Sequence, residues 1–352
     1  MPGVKDHEVN ISSNGSLNES LLMQFLTDNT IAAAAILTIS LPGLLLNVFA
    51  VFCFTKHRSF RNSFGNLAAL HSAADAGVLC CFVFWAVPMT LAAPVDYLTT
   101  ANLKVGQFAI FCQTTSFHAI LFISLNRLFA IVATHKYPIL FSARNTRFII
   151  AWILAVSTAY CAVYFIPSCD FFYSPKSLYW EFANSPCGKR LSTYVDFIGT
   201  ISLFGVIIIT DLITLTRLRS ANRRLFEVRS YSDASNTVLN KRRSKEIQFF
   251  VQAVIVTVLF VGVFVSFHVL SELTNSRWGT FATTTLAWSI GHAGSGVIVV
   301  AFNREIRRLL AHPTQFFALT SQQYSGPHVA RVTPPLPQAL PPTQPSTQPT
   351  LT

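Results

Sequence analysis

The sequence predicts an all-α membrane protein, a bundle of seven transmembrane helices, and three observations carry that expectation. Only 12% of the residues are Asp, Glu, Lys or Arg, against roughly 25% in a soluble globular domain. Apolar stretches of about 20 residues, the length that crosses a bilayer at 1.5 Å rise per residue, recur along the chain. The charges that remain lie between those stretches, and the basic ones gather on alternate connections. An ordinary cytosolic enzyme is excluded. The net charge of +11 belongs to loops beside apolar segments, where it sets topology and meets anionic lipid, so no nucleic-acid partner is expected.

Residues 1–30 are polar and acidic, and hold Asn10-Ile-Ser, Asn14-Gly-Ser and Asn18-Glu-Ser, three glycosylation sequons with no fourth elsewhere. Three clustered sequons mark an extracellular glycosylated tail. No basic segment precedes the run Leu21 to Leu26, so no cleavable signal peptide is expected and span 1 directs its own insertion. The spans fall at 31–55, 64–93, 105–133, 147–167, 191–216, 247–271 and 280–302. They are apolar on every side and longer than barrel strands, hence helices. With the N-terminus outside and the C-terminus inside, 20 of the 26 basic residues fall on the cytoplasmic face, nine of them between Arg217 and Lys245. That is the distribution the positive-inside rule requires.

Asp75 stands ~16 Å into span 2, where a carboxylate is costly unless paired or hydrated. A polar cluster with Asn47 and Ser295 is expected around it, with His71 one turn away on the same face. Five of the seven cysteines lie within spans and read as small buried apolar side chains. Cys169 and Cys187 both fall in the outer loop after span 4, on the oxidising side, and a bridge between them closes a loop worth about 3 kcal/mol in the chain-entropy model. No metal-ligand spacing appears, and neither a cofactor nor enzymatic activity is expected. Residues 303–312 follow span 7 as a short basic amphipathic helix on the membrane. The cytoplasmic tail 313–352 contains nine prolines among 40 residues, a composition for extended disorder. Within it Arg331-Val-Thr-Pro-Pro-Leu-Pro337 fits the ligand pattern of Src-homology-3 domains.

Seven helices suit a receptor, a light-driven pump or a transporter. Span 7 contains no Lys, which removes the amine a retinal Schiff base needs. No repeated halves with broken helices appear, which weighs against a secondary transporter or channel, the alternative from another class. At the inner end of span 3, Ser124-Leu-Asn-Arg-Leu-Phe-Ala-Ile-Val-Ala-Thr-His-Lys-Tyr137 resembles the signature of rhodopsin-like receptors, with Arg127, Ala130, Ile131, Lys136 and Tyr137 in register. Two positions depart: Asn126 replaces the usual acid and Thr134 a usual Pro. Asn cannot ion-pair with the Arg, so the inactive lock is weaker or differently built. Asn47, Asp75, Trp152 and Phe302–Arg308 match other positions of that pattern. The Asn-Pro-x-x-Tyr element is degraded to Ser295–Val299, span 6 lacks its Pro, and Ser in place of the Asn on span 7 weighs against a sodium ion at Asp75.

Asn62-Ser-Phe-Gly, Lys136-Tyr-Pro-Ile-Leu-Phe-Ser142, Lys245-Glu-Ile-Gln-Phe-Phe-Val-Gln252 and Cys169-Asp-Phe-Phe-Tyr with Trp180 and Cys187 occur in one order. Together they resemble the nematode serpentine receptors of class X, over residues 31 to about 310. The resemblance implies a chemosensory G-protein-coupled receptor of the plasma membrane that binds a small-molecule or peptide ligand outside and activates a heterotrimeric G protein inside. Arg127, Asn126 and Tyr137 then form the coupling switch. By depth, His118, Asp196, His268 and His292 are the ligand-pocket candidates, with the aromatic Trp288 beside them, although a single membrane His serves equally well as a packing residue bonded to a carbonyl and an aromatic as a lipid-facing one.

Overall fold

The computed structural model describes residues 9–92, 98–228 and 236–312. Among them seven helices are long and apolar enough to cross a membrane: α1 (Leu26–Lys56), α2 (Ser63–Leu91), α3 (Thr99–Val132), α4 (Ala143–Phe165), α5 (Pro186–Ser220), α6 (Phe250–Leu273) and α7 (Arg277–Phe302). The helix α8 (Arg304–Ala311) follows, burying Ile306 and Leu309. The predicted spans coincide with these to within a few residues. The helix of α1 continues back to Val9, so Asn10, Asn14 and Asn18 of the tail fall on helical backbone. Their side chains lie outside the described residues, as do the Pro-rich tail 313–352 and the motif Arg331–Pro337.

Local chemistry fixes where the helices begin. Asn62, Ser142, Ser185 and Ser276 each accept a hydrogen bond from the backbone N–H three residues on, capping α2, α4, α5 and α7. Such caps contribute about 1 kcal/mol each by satisfying an orphan donor. Inside the bundle α2, α3 and α7 are central and α4 peripheral: 67% of the apolar window of α3 is buried, against 22% for α4. Large apolar side chains such as Leu45, Phe84, Phe148, Ile209 and Val258 are exposed around the outside, which is how a lipid-facing surface reads.

One end of the bundle is closed by an antiparallel hairpin, β1 (Phe171–Ser174) and β2 (Tyr179–Phe182), paired from Phe171 with Phe182 to Ser174 with Tyr179. The sequence reading held no strand here. Phe171, Tyr173, Leu178 and Trp180 are buried beneath the hairpin, and the disulfide Cys169–Cys187 ties its base to the start of α5. Side chains from other helices pin it down. Asn102 Nδ2 donates to Tyr173 O at 2.8 Å, Thr285 Oγ1 to Leu178 O at 2.8 Å, and the Arg277 guanidinium to Lys176 O at 2.8 Å and Asn29 Oδ1 at 2.6 Å. Gly106 on α3 lets the hairpin backbone lie against the helix, since a Cβ there would stand 1.9 Å from Phe171 O.

Near this same end, α2, α5, α6 and α7 each contain a π-helical turn, at Phe82–Ala86, Leu191–Ile198, Ser266–Leu270 and Ala282–Leu286. Such turns bend helices and re-aim side chains. In α6, which has no Pro, this turn and the 3-10 turn Ser271–Leu273 after it are the irregularities available.

Candidate functional site

Three groups of side chains line the middle of the bundle, and the deepest surrounds Asp75. Its carboxylate is fully buried. Ser116 Oγ donates to Oδ1 at 2.6 Å, and His292 Nδ1 lies 2.7 Å from the same oxygen. His71 Nε2 stands 3.4 Å from Oδ2, and its ring bridges Ser116 Oγ and Ser295 Oγ, each at 2.9 Å. Polar groups thus enclose the carboxylate, the condition for an acid at membrane depth. Asn47 belongs to this region without touching Asp75: its Nδ2 donates to Gly43 O at 3.0 Å and His292 O at 3.1 Å. Gly296 makes room for it, because a Cβ there would lie 2.6 Å from that nitrogen. Ser295 reaches Asp75 only through His71. His292, expected in the ligand pocket, belongs here instead; it is fully buried, and its outward nitrogen is taken by Trp288, whose Nε1 donates to Nε2 at 2.9 Å. Sequence depth alone could not say which way His292 pointed.

Towards the hairpin, two adjoining cavities share Gln113, Phe117 and Asp196. The one between α3, α6 and α7 is walled by Phe171, Phe260, Phe264, Phe267, His268 and Trp288. The other, about 300 Å³, lies between α3 and α5 and is lined by His118, Tyr160 and Thr200 among others. His268 Nε2 donates to Asp196 Oδ2 at 3.0 Å, so the two outer ionisable groups expected in the pocket are one pair joining α5 to α6. Trp288 lines the first cavity and His118 the second. The His118 ring also bonds Thr114 O at 2.8 Å, the carbonyl bond that a packing role would give. The sequence reading missed Gln113, which carries no charge to betray it.

At the far end of α3, Asn126 Nδ2 donates to Ser63 Oγ at 2.8 Å and lies 3.4 Å from the Tyr137 hydroxyl, itself 3.1 Å from Ser63 Oγ. This neutral triangle joins α2, α3 and the turn after α3. Arg127 is nearly buried, with its guanidinium carbon 5.1 Å from the Phe64 ring centroid. The carboxylate acting on it electrostatically is Asp211 of α5, which also accepts from Ser124 Oγ at 2.6 Å. Asp211 is legible in kind, an acid inside an apolar span. Asn303, after α7, donates to Gln252 Oε1 at 3.1 Å, tying α6 to the start of α8. The basic stretch Arg217–Lys245 crosses residues 229–235, outside those described.

The family model for the serpentine-type seven-transmembrane G-protein-coupled chemoreceptors, Srx, matches residues 37–303. The chain belongs to this family. Two relatives from Caenorhabditis elegans agree with it: serpentine receptor class X 45 is 29% identical over 80% of this chain and 81% of its own length, and serpentine receptor class X-43 is 28% identical over 81% and 87%. Among solved structures, squid rhodopsin superposes with a TM-score of 0.68, covering 86% of this chain and 92% of its own at 11% identity. That likeness speaks for the fold. Family and fold both weigh against a transporter or channel, and the molecule is a chemoreceptor of the seven-transmembrane G-protein-coupled kind.

Proposed function

We propose that this chemoreceptor sits in the plasma membrane with its sequon-bearing N-terminus and hairpin outside, and that it converts ligand occupancy near Asp196 and His268 into nucleotide exchange on a heterotrimeric G protein through Arg127. Twenty of the 26 basic residues on the opposite face from Asn10, Asn14 and Asn18 support that orientation. The ligand acts only through unequal affinity for two helix arrangements. Its cavity reaches Trp288, Trp288 bonds His292, and His292 bonds Asp75. A shift of α6 or α7 that breaks this chain changes the packing around Arg127.

On the cytoplasmic side Arg127, Asn126 and Tyr137 form the switch, and the bases from Arg217 to Lys245 meet both G protein and anionic lipid. The helix α8 packs Ile306 and Leu309 against the bundle and turns Arg308 outward to the membrane surface, and the motif Arg331–Pro337 is offered to Src-homology-3 domains. The observation that carries the coupling proposal is the buried Arg127, held over the Phe64 ring, in a member of a receptor family. Replacing Arg127 with Ala is expected to abolish ligand-stimulated nucleotide exchange while leaving surface expression intact; unchanged signalling would refute the role.

A further inference from the structure

We infer that the ligand is an uncharged, membrane-partitioning lipophile with a hydroxyl head, and that it reaches its cavity sideways from the bilayer between α4 and α5 rather than from the water above. This deepens the receptor reading, on which it rests.

Among the described residues the hairpin covers one end of the bundle. Phe171, Tyr173, Leu178 and Trp180 are buried across the mouth of the bundle, and the hairpin is bonded to side chains of α3 and α7 and to Asn29 through Arg277. The flank is different. Helix α3 packs against both α4 and α5, which make next to no contact with each other. The cavity of about 300 Å³ lies in that gap, at the small end of the range for small-molecule sites. Its rim is formed by Gly199, Ser202 and Val206, all exposed on the lipid side of α5.

The wall chemistry selects the occupant. Gln113, Thr114 and Thr200 line the cavity and are more than nine-tenths buried. None of their side chains has a hydrogen-bond partner among the described residues, and their polar atoms stand open to the cavity. Together they offer donors and acceptors to one polar head. Asp196, on the same wall, is paired with His268, so a cation gains no free counter-charge and an anion meets a carboxylate. Leu203, Val206 and Phe117 supply apolar walls for the body. A neutral hydroxyl on a hydrocarbon frame meets each condition.

The test uses the full-length receptor in lipid nanodiscs and a dodecanol carrying a diazirine and a terminal alkyne, with the matching hydrocarbon lacking the hydroxyl as control. After irradiation, adducts are mapped by mass spectrometry. The alcohol is expected to label Tyr160, Ser202 and Val206 in preference to the hydrocarbon. Val206→Trp, a change on the lipid face that fills the rim, is expected to cut that labelling about tenfold. Gln113→Leu is expected to erase the preference for the alcohol. Ser202→Phe serves as a second blocking variant should Val206→Trp lower the thermal midpoint. Adducts spread evenly over the lipid-facing helices, adducts concentrated on the hairpin, or labelling indifferent to the blocking variants would each overturn the inference. Labelling needs no G protein, so its failure is separable from failure of receptor coupling.

Discussion

Trp288 donates its indole N–H to Nε2 of His292 at 2.9 Å, one turn along the same helix, and that bond decides which nitrogen of His292 faces Asp75. An indole offers a donor and no acceptor, so Nε2 carries no proton and Nδ1 presents its N–H to Asp75 Oδ1 at 2.7 Å. The wall of the ligand cavity thereby holds the tautomer of a residue inside the polar cluster. Trp288→Phe keeps an aromatic ring and removes the donor, at a cost of about 1–3 kcal/mol for the unpaired partner. The expected outcome is a severalfold rise in ligand-free nucleotide exchange, with Phe281→Leu, a packing loss at the same end, as the control that leaves exchange unaltered. Equal basal exchange in all three proteins contradicts the coupling.

Asp75 accepts from Ser116 and His292 on one oxygen, and His71 stands 3.4 Å from the other, which has no hydrogen bond, so three side chains already crowd the place a sodium ion would take. An ion held at a hundred times its dissociation constant adds about 2.7 kcal/mol of stability. Exchanging sodium chloride for choline chloride at equal ionic strength is therefore expected to leave the thermal midpoint in place. A drop of several degrees in choline would establish a sodium site.

The hairpin has its own pH signature. Burial pushes the Tyr173 phenol up to about 12, and burial together with the neighbouring Glu181 does the same for Tyr179, from an ordinary value near 10. A pKa raised by folding means stability that is complete below the unfolded value and lost as pH rises through the folded one. The hairpin is expected to hold unchanged from neutral pH to about 10 and to loosen towards 12. Tyrosinate absorbance followed during alkaline titration checks this, and a midpoint at the free-tyrosine value would contradict it.

Cys169 and Cys187 are 18 residues apart, and closing a loop of that size contributes about 3 kcal/mol in the chain-entropy model. The double change to Ser is expected to lower the thermal midpoint by several degrees, read by scanning fluorimetry, and to expose the hairpin to protease. An unaltered midpoint would show that the bonds from Asn102, Thr285 and Arg277 hold the hairpin without the bridge.

Chemistry that is expensive in lipid was legible in the sequence, and geometry between helices was not. The length of the apolar runs fixes the spans, and the cost of a carboxylate at depth singles out Asp75. The same cost applies to Asp211, but nothing in the sequence says that it accepts from Ser124 of another helix. Depth along span 7 is readable for His292, but its bonds to Trp288 and Asp75 depend on the rotation of the helix, which the sequence leaves open. The hairpin escaped notice because Phe171–Phe182 is a short loop segment whose two strands alternate too briefly to stand out. Asn126 was recognised as unable to pair with Arg127; its bonds to Ser63 and Tyr137 needed the fold.

The most direct measurement reconstitutes the receptor with heterotrimeric G proteins of each class and follows GTP uptake without any ligand. With Asn126 uncharged, the carboxylate whose field reaches Arg127 is that of Asp211 on α5, so Asp211→Asn is expected to raise uptake by about tenfold on at least one class, in line with the few kcal/mol that separate such states. Adding Arg127→Ala to it should return uptake to the level of empty vesicles. If Asp211→Asn leaves every class silent, or if the double variant signals as strongly as the single one, Arg127 is not the coupling residue.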